Sequence, residues 1–493
     1  MGKIGTRQKT GLARVFDEPV SVFVPALIGL ACYVVLMTNA FDGAPERDFG
    51  TFIYNHYFLS VIDGRLDIPP RIIGMEGLYA PDGRAFTSHG LAPLISRALA
   101  WPFVDLRETS VAAASILGFT ALGSAIYHLI FARIVLRFGP TDRGARRSVL
   151  LLVGFAVWIA TPGIILASNN SFYHEQYALA FFFSAAWLSV AAGAVLFGTP
   201  VARIVPWMAL FAGLMVHARP HVALGLYAGT IVFLAWAVVE ERGRAFPRVV
   251  TSLLTMFAFG ALYLVVNDLR SGSPLGLSPL KWGFYHFGEY TAETPRVALN
   301  QGASTFDPSR IPGNALLYFF DLPRGFGGEA LAELHRWMTR PFGFVGVESP
   351  RLGLAFFCAP WVYIIVASIR LRHVGLRVGW VLVLSCIVGP FVLLSFAILA
   401  LRYRVEFWPM IAALALLTLP RAVGALDNAA AVNRFKRVMV LALIITALSL
   451  TLALPYSIPG WGTFGDWSRA ECVERFEQKG LDDAQIARAC TLP

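Results

Sequence analysis

Apolar residues in this chain do not alternate. They come in long blocks separated by short polar stretches. A helix of about 20 predominantly apolar residues crosses a bilayer core, so each block predicts a membrane-crossing helix. Eleven are expected, at about 20–39, 110–136, 148–167, 177–198, 205–218, 221–240, 249–267, 351–370, 379–400, 405–423 and 438–456. The fifth is short and runs into Arg219-Pro220. Proline cannot continue the helix ladder, so a half-span or tilted helix is expected there. The first block is one of many, which reads as a retained helix rather than a cleaved leader. The predicted fold class is all-α, a polytopic integral membrane protein.

The polar remainder divides unevenly. Two connections are long, about 40–109 and 268–350, and connections of that length carry function more often than they merely join helices. The first contains two expected surface helices, an aromatic-rich one at 51–61 and an apolar one at 91–104 with Pro93 and Pro102. The second is rich in Gly, Pro and aromatic residues, as a lid or groove lining would be. Two domains follow: residues 1–456 as the membrane domain with both loops, and 457–493 as a small tail.

Composition agrees, with 56% hydrophobic and 15% charged residues, too little charge for a soluble surface. The formal net charge is +10, but the basic residues sit in short connections rather than in a stripe, so nucleic acid is not an expected partner. Lys3, Arg7, Lys9 and Arg14 precede the first span. Arg137, Arg143, Arg146 and Arg147 follow the second, and later even-numbered spans are followed by Arg203, by Arg242, Arg244 and Arg248, by Arg370, Arg372 and Arg377, and by Arg421, Arg434, Lys436 and Arg437. Alternating spans put all of these on one side, which the positive-inside rule makes cytoplasmic. The N-terminus is then cytoplasmic and the tail lies on the opposite side. Of the five cysteines, Cys32, Cys358 and Cys386 lie in apolar blocks, whereas Cys472 and Cys490 lie in the tail. A disulfide between the last two is expected if that side is oxidising.

Four polar clusters fall at the non-cytoplasmic ends of spans. Asp42, Glu46 and Asp48 follow the first span. They form either a solvated loop paired with Arg47 or a general base or metal ligand at the membrane edge. His174 and Glu175 follow the third span, and must face water or protein rather than lipid. They are either an interfacial cap or part of an outer cavity. His217, Arg219 and His221 need an anionic partner, which is a phosphate or a structural salt bridge to Asp48 or Glu175. Arg402, Tyr403, Arg404 and Glu406 precede the tenth span; the arginines suit a phosphate, or else they snorkel to lipid headgroups.

From Asp48 onward the sequence resembles a known superfamily. "RDFGTFIYNHYFLSVIDGRLDIPP" and "LYAPDGRAFTSHGLAPLISRALAWPF" resemble the first external loop of bacterial GT-C glycosyltransferases, which include the protein mannosyltransferases and the lipid A aminoarabinose transferases. "NNSFYHEQYALAFFF", "GLMVHARP", "LRSGSPLG", "LPRGFGG" and "RYRVEFWP" extend the likeness along most of the chain. The resemblance implies a GT-C-like fold and a polyprenyl-phosphate-linked sugar donor. It carries the family's first-loop acid onto Asp48, with Glu46 and Asp42 as neighbours because the acids here are spaced rather than adjacent.

The expected function is therefore sugar transfer from a polyprenyl-phosphate carrier to a cell-envelope glycan, lipid or protein on the external face, with inversion. An acid would remove the acceptor proton while Arg402, Arg404, Arg219 and His174 stabilise the leaving phosphate. Glu175, His217 and Tyr403 would line the acceptor side of the cavity. A divalent ion, Mg or Mn, would use the same acids; no other cofactor is expected. Two other readings stand beside this one. A lipid or sugar flippase would need polar residues near mid-membrane, and few are seen. A polysaccharide polymerase or ligase would use a similar external loop.

Overall fold

The computed structural model describes residues 18–38, 50–275, 280–287, 306–322, 326–340, 346–347, 352–369, 379–454 and 467–491. Along the chain run α1 (Pro19–Met37), α2 (Ile53–Ile62), α3 (Leu94–Ala100), α4 (Ala112–Phe138), α5 (Arg143–Ile159), α6 (Phe172–Phe197), α7 (Val201–Val216), α8 (Pro220–Glu241) and α9 (Phe246–Ser271). They are followed by α10 (Ile311–Phe320), α11 (Gly328–Thr339), α12 (Ala359–Ile369), α13 (Gly379–Cys386), α14 (Val388–Ser395), α15 (Trp408–Gly424), α16 (Ala429–Ala453), α17 (Arg469–Glu477) and α18 (Asp483–Cys490).

Eight helical segments are long and apolar enough to cross a membrane. They contain α1, α4, α5, α6, α8, α9, α15 and α16. Shorter apolar helices occupy α7, α12 and the joined pair α13–α14, where three more spans are expected. Length and composition make this a membrane protein. α7 ends at Val216, and Pro220 starts α8, so the Arg219-Pro220 break lies where the sequence predicts it.

The boundaries shift where caps override hydropathy. α5 begins at Arg143 rather than near 148, because the Asp142 side chain accepts from the Ala145 N–H at 2.7 Å and caps the helix. Arg143, Arg146 and Arg147 are therefore on its first turns, where they surround the buried Glu18 carboxylate and fasten the start of α1. Arg147 foremost, with Arg146 and Arg143, holds the Glu18 carboxyl below its usual range. α6 starts at Phe172, several residues before the hydropathic block, with Ser171 in the extended N-cap conformation.

Helix contacts in the bundle rely on small residues. Gly225 and Gly229, one turn apart on α8, face the backbone and side chain of Ser385 on α13, and a Cβ at either glycine would overlap it. Backbones approach this closely only where small residues recur at four-residue spacing.

One end of the bundle carries a separate layer. There α2, α3 and residues 64–111 fold over the helix ends. Strand β1 (Leu78–Tyr79) pairs antiparallel with β2 (Ala85–Phe86) and with β3 (Lys281–Trp282), so the two long loops share one small sheet. At the same end β4 (Gly346–Val347) pairs parallel with β5 (Ile398–Leu399). The expected surface helices exist, shortened to α2 and α3. α2 is mostly buried rather than lying in the interface, whereas Leu99, Trp101 and Phe103 at the end of α3 are exposed.

The tail does not stand alone. Trp467, Phe476 and Ile486 join Tyr57, Ile73 and Tyr79 of the first loop in one apolar core. Arg71 and Trp467 exchange hydrogen bonds of 2.9 Å in both directions. Cys472 and Cys490 are joined by a disulfide that ties α17 to α18. In the chain-entropy view a loop of this size contributes roughly 3 kcal/mol.

Candidate functional site

The site lies where the first loop covers the ends of α6, α8 and α15. The described chain resumes at Gly50 (φ 70°), which abuts the Phe172 ring. Phe172 packs 4.1 Å from Tyr173 and 5.3 Å from the ring of His89. Gly90 lies so close to the His217 carbonyl that any Cβ would collide with it, and the same carbonyl accepts from the Ala92 N–H at 3.2 Å. This contact fixes His89. Its Nδ1 and the Tyr54 hydroxyl are 2.6 Å apart, and its carbonyl accepts from Arg270 Nη1 at 2.8 Å. Arg270 also donates to the Tyr57 hydroxyl.

Burial, with the positive charges of Arg219 and Arg402 nearby, pushes the His89 imidazole down from 6.5 to about 3. It is therefore a neutral hydrogen-bonding group at pH 7. Above pH 6.5 the imidazole is neutral in both the folded and the unfolded chain and its burial carries no pH-linked penalty; as the pH falls from 6.5 towards 3 only the unfolded chain takes up the proton, and the fold loses stability.

The first turn of α6 divides its polar residues among different partners. The Tyr173 hydroxyl donates to Glu76, and its ring lies 4.4 Å below the Arg402 guanidinium. His174 is buried, with Nδ1 3.1 Å from the Asn169 carbonyl. Glu175 is fully buried and pairs with Arg97 of α3, with Ser96 Oγ donating to it at 3.2 Å. Arg97 Nε in turn donates to Asn55 Oδ1 at 3.0 Å. Glu175 is thus part of a lock between the first loop and the bundle.

Residues 401–407 form a 3₁₀ turn entering α15. Arg402 is half-buried between the rings of Tyr173 and Tyr403, the latter 5.2 Å away. Glu406 is buried and takes Arg219 Nε at 2.5 Å, with His221 on its other oxygen. Arg219 also stacks on Tyr177 at 4.2 Å. The partner of Arg219 is therefore Glu406 and not Glu175, which Arg97 already occupies. Arg404 turns the opposite way. It is buried beside Asp321, 3.6 Å from Nη2, and donates to the Ala400 carbonyl at 3.3 Å.

The fold thus gathers Arg402, Arg219, Tyr403 and Glu406 with His89 and Tyr173, which the sequence does not single out as site residues, in one aromatic and cationic cluster. Arg404 leaves it for Asp321, Glu175 is locked to Arg97, and the His217 ring packs about 6 Å from Phe259 and Tyr263 of α9. Asp42, Glu46 and Asp48 lie outside the described residues. Cys472 and Cys490 belong to the tail. Among the described residues, no group of three or more His, Cys, Asp or Glu side chains could hold a metal ion. His89 and Glu406 stand inside the strings "TSHGLAP" and "RYRVEFWP", but nothing in spacing marks them as partners of Tyr54 and Arg219. No known protein family, curated protein or solved structure matches the chain.

Proposed function

We propose that this protein is a membrane glycosyltransferase of the GT-C kind, transferring sugar from a polyprenyl-phosphate donor. The carrying observation is the half-buried Arg402, oriented by Tyr173 and Tyr403 beside neutral His89, where helix ends meet the covering loop. A rigid guanidinium fork suits a phosphate, and aromatic faces suit the apolar side of a sugar ring.

In the reaction, the acceptor hydroxyl oxygen attacks the anomeric carbon as the bond to the phosphate oxygen breaks. The phosphate leaves with that electron pair, and Arg402 stabilises its charge. The hydroxyl proton passes to a first-loop carboxylate, for which Asp48 is proposed, with Glu46 and Asp42 as neighbours. Arg219, ion-paired to Glu406 and stacked on Tyr177, is proposed to hold the wall of the site rather than to carry free charge to the phosphate. Acceptors of this chemistry are cell-envelope glycans, lipids or proteins.

Incubation of the purified protein with a labelled polyprenyl-phosphate sugar is expected to consume the donor. Arg402→Ala should weaken donor binding by about tenfold or more, since a charge-assisted contact contributes about 1.5–3 kcal/mol. No consumption of any such donor, or unchanged donor affinity in Arg402→Ala, would sink the reading.

Counting α7, α12 and α13–α14 with the eight longer segments gives eleven crossings. The positive-inside pattern then puts the N-terminus in the cytoplasm, the site on the far side of the inner (cytoplasmic) membrane, and the tail beside it. A phosphatase fused to the C-terminus should be active and a cytoplasmic reporter at the same point inactive; the reverse pattern would overturn this topology.

A further inference from the structure

We propose that α11 lies flat in the headgroup layer of the bilayer, at the end of the bundle that carries the candidate site. The helix carries three distinct stripes. Gly328, His335 and Thr339 are buried against the protein, with Leu331, Ala332 and Met338 half-buried beside them. Glu329, Glu333 and Arg336 form a second, exposed stripe, and Arg340 continues it. Ala330, Leu334 and Trp337 form the third, at the i, i+4, i+7 spacing of one helix face. Leu334 is 44% and Trp337 73% exposed, and Phe326 just before the helix is 60% exposed.

A helix in water needs only a buried face and a polar face. A third face that is apolar and exposed fits a medium that is itself apolar, with water on one side and protein on the other. Tryptophan is enriched at such interfaces.

The level of α11 agrees. His335 Nε2 lies 3.1 Å from Asn314 Oδ1 on α10, and Asn314 Nδ2 donates to the carbonyls of Leu394 and Phe396 at 2.8 and 2.9 Å. Those carbonyls mark the end of apolar α14. Tyr318 and Phe319 of α10 also pack on Phe407, 4.8 and 5.6 Å between ring centres, at the entrance to α15. α11 is thus fastened through α10 to the depth at which two apolar segments end. Phe320 at the end of α10 and Phe391 on α14, the elements that fasten α11, are also more than half exposed, and an apolar medium at this depth is lipid, which is the occupant proposed for the stripe. This inference stands apart from the transferase reading and can fail without it.

The test is nitroxide accessibility in the full chain, reconstituted in nanodiscs of phosphatidylethanolamine and phosphatidylglycerol. Leu334→Cys, Trp337→Cys, Glu333→Cys and Arg336→Cys would be labelled singly in a Cys32→Ala background. Cys358 and Cys386 are buried, and Cys472 is bonded to Cys490. Labels at 334 and 337 should collide with oxygen several-fold more often than with a water-soluble nickel chelate, and labels at 333 and 336 the reverse. Nickel prevailing at 334 and 337 would mean water on that face and overturn the proposal. Exclusion of both reagents there would mean a protein contact, such as a second copy of the chain, and overturn it equally.

Discussion

Asp48→Asn is expected to slow turnover by about 10²- to 10⁴-fold, the usual loss when a positioned base is removed. The change keeps the size of the side chain and removes only its capacity to take a proton. Donor binding should survive, because the phosphate contacts proposed here come from Arg402 on the 3₁₀ turn before α15, not from the loop after α1. The expectation rests on three things. Asp48 follows the first span, it matches the acid implied by the GT-C resemblance, and it is two residues from Gly50, which abuts Phe172 in the aromatic wall of the site. Glu46→Gln and Asp42→Asn are the controls. Near-normal turnover in Asp48→Asn with an inactive Glu46→Gln would move the base to Glu46. Full activity in all three, with normally folded protein, would remove the first loop from the chemistry.

Loss of the Glu406 carboxylate should destabilise the protein by up to about 3–5 kcal/mol, the cost of leaving one member of a fully buried ion pair without its partner; the Arg219 side chain keeps 16% of its surface exposed, which lowers the figure. Glu406 is 2% exposed and neutralises Arg219 directly, with His221 on the other oxygen. In Glu406→Ala the part-buried Arg219 charge stays stacked on Tyr177 without its carboxylate partner. The double variant Arg219→Leu/Glu406→Leu removes both charges and should recover much of the loss, since apolar residues often replace buried pairs at little cost. Thermal unfolding in detergent measures both. A single variant within about 1 kcal/mol of wild type would mean that water reaches the pair and that it holds nothing together.

These two residues also separate what could be read from the chain and what could not. Glu406 stands four positions after Arg402 in a string singled out for its arginines, yet its partner is 187 residues away. The sequence offers Asp48 and Glu175 to Arg219 on equal terms, and only packing assigns Glu406. Arg402 and Arg404 look interchangeable in the sequence. The 3₁₀ turn sends Arg402 to Tyr173 and Arg404 to Asp321, on different sides.

The sequence by itself determined the membrane class and the positions of the apolar helices. Lipid imposes a one-dimensional requirement, a run of apolar residues long enough to bury its own backbone hydrogen bonds. Such a run can be read without knowing its neighbours, and so can a proline break like that at Pro220. Local caps moved the ends, as at Asp142 before α5. Tertiary structure decided which helix ends meet, that the first loop and the tail share one core, and which polar groups pair with one another rather than face the site. Those outcomes depend on contacts between residues far apart in the chain, where the energy of a buried charge is set by whichever partner packing delivers and not by its neighbours in sequence.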